Sequence, residues 1–223
     1  MNIFDIIGPV MVGPSSSHTA GAVRIGLMAR KLLGEGTPKS AQIVLYGSFA
    51  ATGQGHGTDR AIVAGLLGMK QDDERITGSY DWAKKADMEF ALTHSKLSAE
   101  HPNTARLHIV GKSGRELSMT AASLGGGRIM VTEMNGLRIQ YTGDLPTLIV
   151  QNEDRPGHVG DVTGTLARAG VNIATMHVYR DHPGGDAVMI IETDKNVPQE
   201  VVKALTLPEG IERVTFIEGE QNG

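Results

Sequence analysis

The stretch LPTLIVQNEDRPGHVGDVTGTLARAGVNIATMHVYR, Leu145–Arg180, decides the fold of the second half of the chain. It begins with the β-branched run LPTLIVQN, which predicts a strand. A Pro-Gly pair then marks a turn. His158–Ala169 carries apolar residues at helical spacing, and Gly170 after it is typical of a helix end. The stretch closes on VNIATMHVYR, which predicts a second strand.

The residues after this stretch extend the pattern. Asp186–Thr193 and Ile211–Glu218 predict two more strands, and a short helix between them begins near Val197 with Pro198 in its first turn. The order βαββαβ over about 70 residues is the ferredoxin-like motif.

A boundary between two domains is predicted at Gly143-Asp144-Leu145-Pro146, where the sequence changes from glycine-rich to regularly alternating. We predict domains of residues 1–144 and 145–223. The first is also α+β, with an antiparallel sheet and a type I′ hairpin turn at Asn135-Gly136. Its predicted helices are Thr19–Leu33, Gly57–Met69 (with Thr58 or Asp59 as N-cap) and Trp82–Leu92, and its predicted strands are Ala41–Ala50, Ala105–Val110, Arg115–Ala122, Arg128–Glu133 and Leu137–Tyr141.

Composition limits the classes of function. The formal net charge of −4 among 223 residues gives no bulk electrostatic attraction for nucleic acid, whose binding usually needs a basic face or stripe. No apolar run reaches the ~20 residues of a membrane span, and the first residues carry no secretory signal pattern. We therefore predict a cytoplasmic protein that binds neither nucleic acid nor membrane. The chain has no cysteine, so its own thiolates can form no disulfide, zinc site or iron–sulfur cluster.

GPSSSHTAG, residues 13–21, is the first stretch that suggests chemistry. Its hydroxyls and imidazole lie just before a predicted helix, where backbone N–H groups lack helical partners and the helix dipole adds positive charge. Such a place binds a carboxylate or phosphate. N-capping by one hydroxyl would explain one of these residues but not Ser15, Ser16, Ser17 and Thr19 together.

Three further polar stretches follow. GQGHGTD (53–59) is a glycine-lined loop before a predicted helix, and it lacks the lysine of a phosphate P-loop. HPNT (101–104) is a proline-fixed loop with hydrogen-bonding side chains. Three consecutive glycines, 125–127, allow close backbone approach to a ligand, although loop flexibility explains them equally well.

Histidines in these loops are the candidates for proton transfer, because imidazole titrates near neutrality. They are His18, His56 and His101. No helical zinc-binding spacing occurs, so we predict no metal site in this chain. His108 and His177 lie in predicted strands and are interpreted as structural, while His94 is predicted to end a helix.

Together, GPSSSHTAG, GQGHGTD, HPNT and GGG, in this order, resemble the β chain of the bacterial two-chain, iron–sulfur-dependent L-serine dehydratases. The likeness extends over nearly the whole chain. DRPGHVGDVTGTLARAGVNIATM resembles an ACT domain, a small amino-acid-sensing module, in agreement with the βαββαβ order. The first part also resembles the allosteric substrate-binding domain of D-3-phosphoglycerate dehydrogenase.

The resemblance implies conversion of L-serine to pyruvate and ammonia. It implies a [4Fe–4S] cluster that acts as a Lewis acid on the substrate hydroxyl. Because this chain has no cysteine, a cysteine-bearing α chain must hold that cluster. The catalytic candidates are the three loop histidines, and the residues do not distinguish base from binder among them. The predicted substrate-binding residues are Ser15, Ser16, Ser17, Thr19, Asp59, Asn103 and Thr104.

The ACT resemblance implies an amino-acid effector site in the loop 152–160 and the helix start after it. The predicted ligand residues are Asp154, Gly157, His158 and Asn172. ACT modules commonly pair through their sheets, so self-association is predicted, and some only dimerise. An alternative to the enzyme subunit is a non-catalytic sensor of amino or hydroxy acids. The three loop imidazoles favour the enzyme, because a sensor needs hydroxyls and N–H groups more.

Overall fold

The computed structural model describes residues 15–97 and 99–219, apart from the side chains of residues 53, 54 and 56. The chain forms two compact units that divide between Thr142 and Gly143. Both units combine helices with a sheet, so the predicted α+β class is confirmed. Within the described ranges, none of the helices combines the length and the apolar character that a bilayer crossing requires.

In the first unit a π-helical turn, Ser16–Gly21, leads directly into the first helix. The helices are α1 (Ala22–Leu33), α2 (Gly47–His56), α3 (Thr58–Leu66) and α4 (Ser79–Lys85), with a 3₁₀ turn at Glu74–Gly78 before α4. The strands are β1 (Ser40–Tyr46), β2 (Glu89–His94), β3 (Asn103–Val110), β4 (Glu116–Gly125), β5 (Arg128–Met134) and β6 (Leu137–Tyr141).

These six strands form one sheet in the order β2-β1-β3-β4-β5-β6. β1 and β2 run parallel, whereas the other neighbouring pairs run antiparallel. The turn between β5 and β6 has positive φ at both Asn135 (49°) and Gly136 (84°), which a type I′ turn requires. The antiparallel sheet and this hairpin are therefore confirmed, with one parallel strand added.

Helices α1 and α3 pack with their backbones in contact. A Cβ atom added to Gly26 of α1 would lie 2.2 Å from the carbonyl oxygen of Ile62 in α3. A Cβ atom added to Gly65 of α3 would lie 2.1 Å from the carbonyl oxygen of Val23. Only glycine allows so close an approach. Some of the 29 glycines in the chain therefore serve helix packing.

The prediction that Ala41–Ala50 is one strand is wrong in its second half. β1 ends at Tyr46, and α2 begins at Gly47, whose φ is 54°. The carbonyl oxygen of Pro102 then accepts hydrogen bonds from the N–H groups of Ser48 (2.7 Å) and Phe49 (3.4 Å). These long-range bonds start a helix that local propensity does not favour. The predicted glycine-lined loop is therefore mostly α2.

The predicted helix Trp82–Leu92 is also wrong in its second half. α4 ends at Lys85, and Asp87 has a φ of 53°, which no helix accommodates. The chain continues as β2, so His94 ends a strand rather than a helix. The predicted N-cap of α3 is likewise corrected, because Gly57 occupies that position, with a φ of 69° and no side-chain cap.

The second unit follows the predicted βαββαβ order. Its sheet has the strand order β10-β7-β9-β8. The apolar faces of both helices pack on the sheet, with Val162, Leu166 and Val201 against Leu148 and Met189. Its elements are β7 (Thr147–Glu153), α5 (His158–Arg168), β8 (Ile173–Arg180), β9 (Asp186–Thr193), α6 (Gln199–Ala204) and β10 (Ile211–Ile217).

Candidate active site

His18 lies in the π-helical turn before α1 and is 9% exposed. Ser15 caps this turn. Its carbonyl oxygen accepts from the N–H of Thr19 at 2.8 Å, and its hydroxyl oxygen accepts from the N–H of His18 at 3.3 Å. The cap fixes the backbone of His18, so the side chain starts from a defined position.

Hydroxyl groups contact both nitrogens of the His18 ring. Ser15 Oγ is 3.3 Å from Nδ1. On the other side of the ring, Ser48 Oγ and Thr52 Oγ1 of α2 lie 3.2 Å and 3.0 Å from Nε2. Phe49 adds an edge contact with 5.2 Å between ring centroids. The imidazole is thus held on both sides by polar groups and by one aromatic ring.

The HPNT stretch packs onto the start of the same helix. The carbonyl oxygen of Pro102 accepts hydrogen bonds from the first N–H groups of α2, and Asn103 forms a β-bridge with Gly47. Within the stretch, His101 Nδ1 accepts from the N–H of Asn103 at 3.1 Å, and Thr104 Oγ1 donates to the carbonyl of His101 at 2.6 Å. The structure therefore connects the first and third polar stretches through α2.

The glycine hairpin between β4 and β5 contacts the π-helical turn Ser16–Gly21, which is called the serine turn below. Gly125, Gly126 and Gly127 all have positive φ (90°, 62° and 78°), so the three glycines are a conformational requirement. The N–H of Gly126 donates to Ser16 Oγ at 3.4 Å, and a Cβ atom on Gly125 would stand 3.7 Å from Ser17 Oγ. The fourth stretch thus joins the first.

Two buried hydroxyls near this turn have no hydrogen-bond partner among the described residues. They are Thr19 Oγ1 and Ser123 Oγ, in residues that are 2% and 0% exposed. A Cβ atom on Gly21 would lie 2.0 Å from Ser123 Oγ, which places Ser123 against the serine turn. Buried polar atoms normally find partners, so these hydroxyls suit a bound polar ligand or water.

Asp59 lies in the first turn of α3, and its hydrogen bonds described here are made with Tyr80 and Arg60. Its Oδ2 accepts from the hydroxyl of Tyr80 at 2.6 Å, and its Oδ1 accepts from the N–H of Arg60 at 2.8 Å. Burial, followed by the hydrogen bond to Asp59, raises the pKa of Tyr80 well above its usual range. His56 is the last residue of α2, and its side chain lies outside the described part of the structure.

Two site residues were missed by sequence reasoning. Ser48 and Thr52 are four residues apart, a spacing that puts side chains on one helix face. That signal exists only once Gly47–His56 is known to be a helix. In residues 15–97 and 99–219, no three His, Asp or Glu side chains come together in a way that could hold a metal ion.

The predicted ligand residues of the second unit fall into separate places. Asp154 Oδ2 accepts from Arg180 at 2.7 Å and from the N–H of Gly184 at 3.1 Å. The Arg180 hydrogen bond, followed by that of Gly184, lowers the pKa of Asp154. Asn172 donates to Asp194 at 2.7 Å. Asp154 and Asn172 lie at opposite ends of the sheet, so one unit cannot close both around a single small ligand.

His158 begins α5 directly after Gly157, whose φ is 103°. The residue is 7% exposed, and neither ring nitrogen has a hydrogen-bond partner among the described residues. Asn152 Oδ1, in a residue 3% exposed, is also without a partner there. The end of β7 and the start of α5, which one short loop joins, therefore hold unsatisfied buried polar atoms, as a ligand site can.

Comparison with known proteins agrees with these two units. The profile of the family described as "Serine dehydratase beta chain" matches residues 2–81, and that of the ACT domain matches residues 146–206. The chain is 42% identical over 216 residues to the "Probable L-serine dehydratase, beta chain" of Bacillus subtilis, with 97% of each chain covered. It is 33% identical to the L-serine dehydratase beta chain of Peptoniphilus asaccharolyticus, with 95% of this chain and 94% of that one covered.

A part of the chain is also similar to a different enzyme. It is 30% identical over 126 residues to the D-3-phosphoglycerate dehydrogenase of Methanocaldococcus jannaschii, which covers 56% of this chain and 24% of that one. The full-length matches are the decisive ones, and they confirm the resemblance found in the sequence. The chain belongs to the L-serine dehydratase β-chain family and carries an ACT domain in its second unit.

Proposed function

We propose that this chain is the β subunit of an L-serine dehydratase that converts L-serine to pyruvate and ammonia. The observation that carries the proposal is the His18 ring, contacted by hydroxyls of Ser15, Ser48 and Thr52. A buried imidazole held in one orientation is suited to moving a proton, a step that typically contributes about 10²–10⁴-fold to a rate. An imidazole with only a packing role needs no such set of polar contacts.

The serine turn is the proposed binding place for the substrate carboxylate. Ser16, Ser17 and Thr19 offer hydroxyls at the start of a helix, where the helix dipole favours a negative charge. Asn103 begins β3 and bridges Gly47 at the start of α2, and it is the proposed amide contact. Thr104 donates its hydroxyl proton to the carbonyl of His101, and Asp59 accepts a hydrogen bond from Tyr80. Both residues therefore act in this proposal by holding the loops in place.

The iron–sulfur cluster that the family implies does not fit the donors of this chain. Clusters are held by cysteine thiolates, and the chain has no cysteine. We propose that a cysteine-bearing α chain holds a [4Fe–4S] cluster and that this chain is inactive alone. Its own part is to bind and orient the substrate and to move a proton at His18, with His56 and His101 as the further candidates.

The test is co-expression with the cysteine-bearing α chain under anaerobic conditions, followed by a pyruvate assay with L-serine. The expected result is pyruvate formation that requires both chains. Either chain alone serves as the control. A stable complex with an intact cluster and no pyruvate, or no complex at all, would contradict the proposal.

A sensing subunit is the second candidate function. It is favoured by the similarity of 126 residues to D-3-phosphoglycerate dehydrogenase, an enzyme with a different reaction in its name. A sensor would bind an amino or hydroxy acid and change the activity of another enzyme. Titration calorimetry showing that L-serine binds the intact chain tightly, in a preparation with no turnover in either chain combination, would favour this candidate.

For the second unit we propose an amino-acid effector site at the start of α5. The unpartnered nitrogens of His158 and the oxygen of Asn152 support it. Asn172, at the far end of the sheet, would reach such a site only from a second copy of the chain. Calorimetric titration of amino acids into the intact chain should give heat that is lost in His158→Leu and retained in His18→Ala. A flat trace for L-serine, glycine and related amino acids would overturn the proposal.

We also propose self-association through the second unit. β8 is an edge strand of its sheet, and Val178 on it is 47% exposed. An exposed strand edge is a ready place for pairing with another strand. Sedimentation velocity should show a dimer that Val178→Lys weakens. A monomer at every concentration would contradict this.

A further inference from the structure

The hydroxyl of Thr52 has one proton, and the groups around its oxygen indicate where that proton goes. Thr52 Oγ1 lies 2.9 Å from the carbonyl oxygen of Ser48, one helical turn earlier. A carbonyl oxygen can only accept, so Thr52 donates its proton there. The contact of 3.0 Å between Thr52 Oγ1 and His18 Nε2 is then made with Nε2 as the donor, and Ser48 Oγ, 3.2 Å from Nε2, is a second acceptor for the same N–H.

The other nitrogen of the ring faces a group with a proton to give. Ser15 Oγ accepts from the backbone N–H of His18 and keeps its own hydroxyl proton. It lies 3.3 Å from His18 Nδ1, within reach of a hydrogen bond to an imidazole lone pair. The contacts on both sides of the ring therefore indicate the same tautomer. Nε2 carries the hydrogen of the neutral ring, and Nδ1 carries the lone pair.

The ring orientation that this assignment needs is fixed by packing. Phe49 is fully buried and meets the imidazole edge on. Turning the ring by half a rotation would exchange each nitrogen for a carbon and remove the contacts to Ser15, Ser48 and Thr52 together. Loss of three polar contacts at a buried residue is unfavourable.

We propose that Thr52 is a positioning residue that holds His18 as the Nε2–H tautomer, so that any proton His18 takes during turnover enters at Nδ1. The second clause rests on the proposed function. In that step an N–H bond forms at Nδ1, and the electron pair of the broken bond stays on the substrate. The hydroxyl proton of Ser15 turns away, and its oxygen accepts from the new N–H. Nε2–H keeps its acceptor on Thr52 throughout.

The proposal predicts a defined spectroscopic signature. The intact chain, labelled with ¹⁵N-histidine, is examined by two-bond ¹H–¹⁵N correlation at a pH where the ring is neutral, and the His18 signals are those absent in His18→Gln. The expected spectrum shows a protonated Nε2 and an unprotonated Nδ1. Thr52→Val, which has the same shape without the acceptor, should change the tautomer ratio roughly fivefold, the ratio that one hydrogen bond sustains.

Thr52→Ser is the matched control, because it keeps the hydroxyl and should keep the wild-type spectrum. In the two-chain enzyme, Thr52→Val should lower kcat several-fold and leave KM for L-serine unchanged, with Thr52→Ser close to wild type. A wild-type ring protonated at Nδ1, or a ratio that Thr52→Val does not move, would overturn the proposal. Because the spectrum needs no turnover, this result is independent of whether the chain proves to be part of an L-serine dehydratase.

Discussion

His18 and His158 occupy similar places in the two units and have opposite surroundings. Each lies at the start of a helical segment, and each is buried, with 9% and 7% exposure. His18 has hydroxyl contacts at both ring nitrogens. His158 has none among the described residues, and its Nε2 lies only 2.6 Å from where a Cβ atom on Gly210 would stand.

This difference in surroundings indicates which role suits each imidazole. A ring with partners on both sides has a fixed orientation and tautomer, which suits proton transfer. A buried polar group without partners costs roughly 1–3 kcal/mol, a cost that a ligand can remove on binding. Similar burial at similar places therefore agrees with the proposed proton transfer in the first unit and with the proposed ligand binding in the second.

The largest effect is expected for His18→Ala. It removes the proposed proton acceptor while leaving the core helices untouched, so kcat for pyruvate formation should fall by about 10²–10⁴-fold. Circular dichroism and gel filtration with the α chain should stay unchanged. His108→Ala is the matched control, because His108 lies on the sheet beside Glu116, at 3.6 Å, outside the site. Wild-type kcat in His18→Ala would remove His18 from the site and end the contrast with His158.

Gly26→Ala should have the next largest effect, on stability. Its Cβ would stand 2.2 Å from the carbonyl oxygen of Ile62, so α1 and α3 must move apart. We expect a loss of about 2–3 kcal/mol in the free energy of unfolding, measured with urea. Gly160→Ala in α5 is the opposite case, because nothing lies within 4 Å of its added Cβ. It should stabilise by about 0.5–1 kcal/mol through helix propensity. Equal effects of Gly26→Ala and Gly160→Ala would mean that α1 and α3 do not touch as described.

His158→Leu tests the comparison between His18 and His158 directly. Replacing an unsatisfied buried imidazole by an apolar side chain should raise the unfolding free energy by about 1 kcal/mol. The measurement is urea unfolding without added amino acids. The exposed His177→Leu is the control, with a change within about 0.5 kcal/mol. Clear destabilisation by His158→Leu would show that the ring is satisfied in the folded chain.

Asp154→Asn should have the smallest effect. The hydrogen bond from Arg180 lowers the pKa of the folded carboxyl group, so the ion pair stabilises the fold above the ordinary aspartate pKa of about 4. That contribution is lost as the pH falls through the lowered folded pKa. Arg180 is exposed and Asp154 is partly exposed, so solvent and salt screen this ion pair. The Tm difference between wild type and variant should be small at pH 7, smaller in high salt, and absent at strongly acidic pH. A difference that grows towards low pH would contradict this assignment.

The second unit was predictable because its elements carry strong local patterns. Alternating β-branched runs and one amphipathic helix define βαββαβ without reference to distant residues. The first unit was predicted less well. α2 contains three glycines and starts on a bond from residue 48 to the carbonyl of Pro102, which no local pattern reveals. Strand β2 was missed because its residues also fit a helix, and the break at Asp87 depends on one left-handed φ.

The loops of the candidate site were predicted from the sequence, but the helix that connects them was not. The serine turn, the HPNT loop and the glycine hairpin were singled out from composition alone, and the structure brings these three together. Their common partner, α2, supplies Ser48 and Thr52, which were not predicted. A contact between residues 18 and 52 is a tertiary fact, and a single sequence contains no signal for it unless the intervening helix is known.

The parallel pairing of β1 with β2 has a consequence for synthesis of the protein. Ser40 pairs with Glu89 on one side and with Val110 on the other. At about 5–20 residues per second, the ribosome adds β2 roughly 3–10 s after β1, and β3 later still. For that time an apolar strand destined for the middle of the sheet has neither neighbour. Slow translation should therefore expose this segment to aggregation or chaperone binding more than any strand of the second unit.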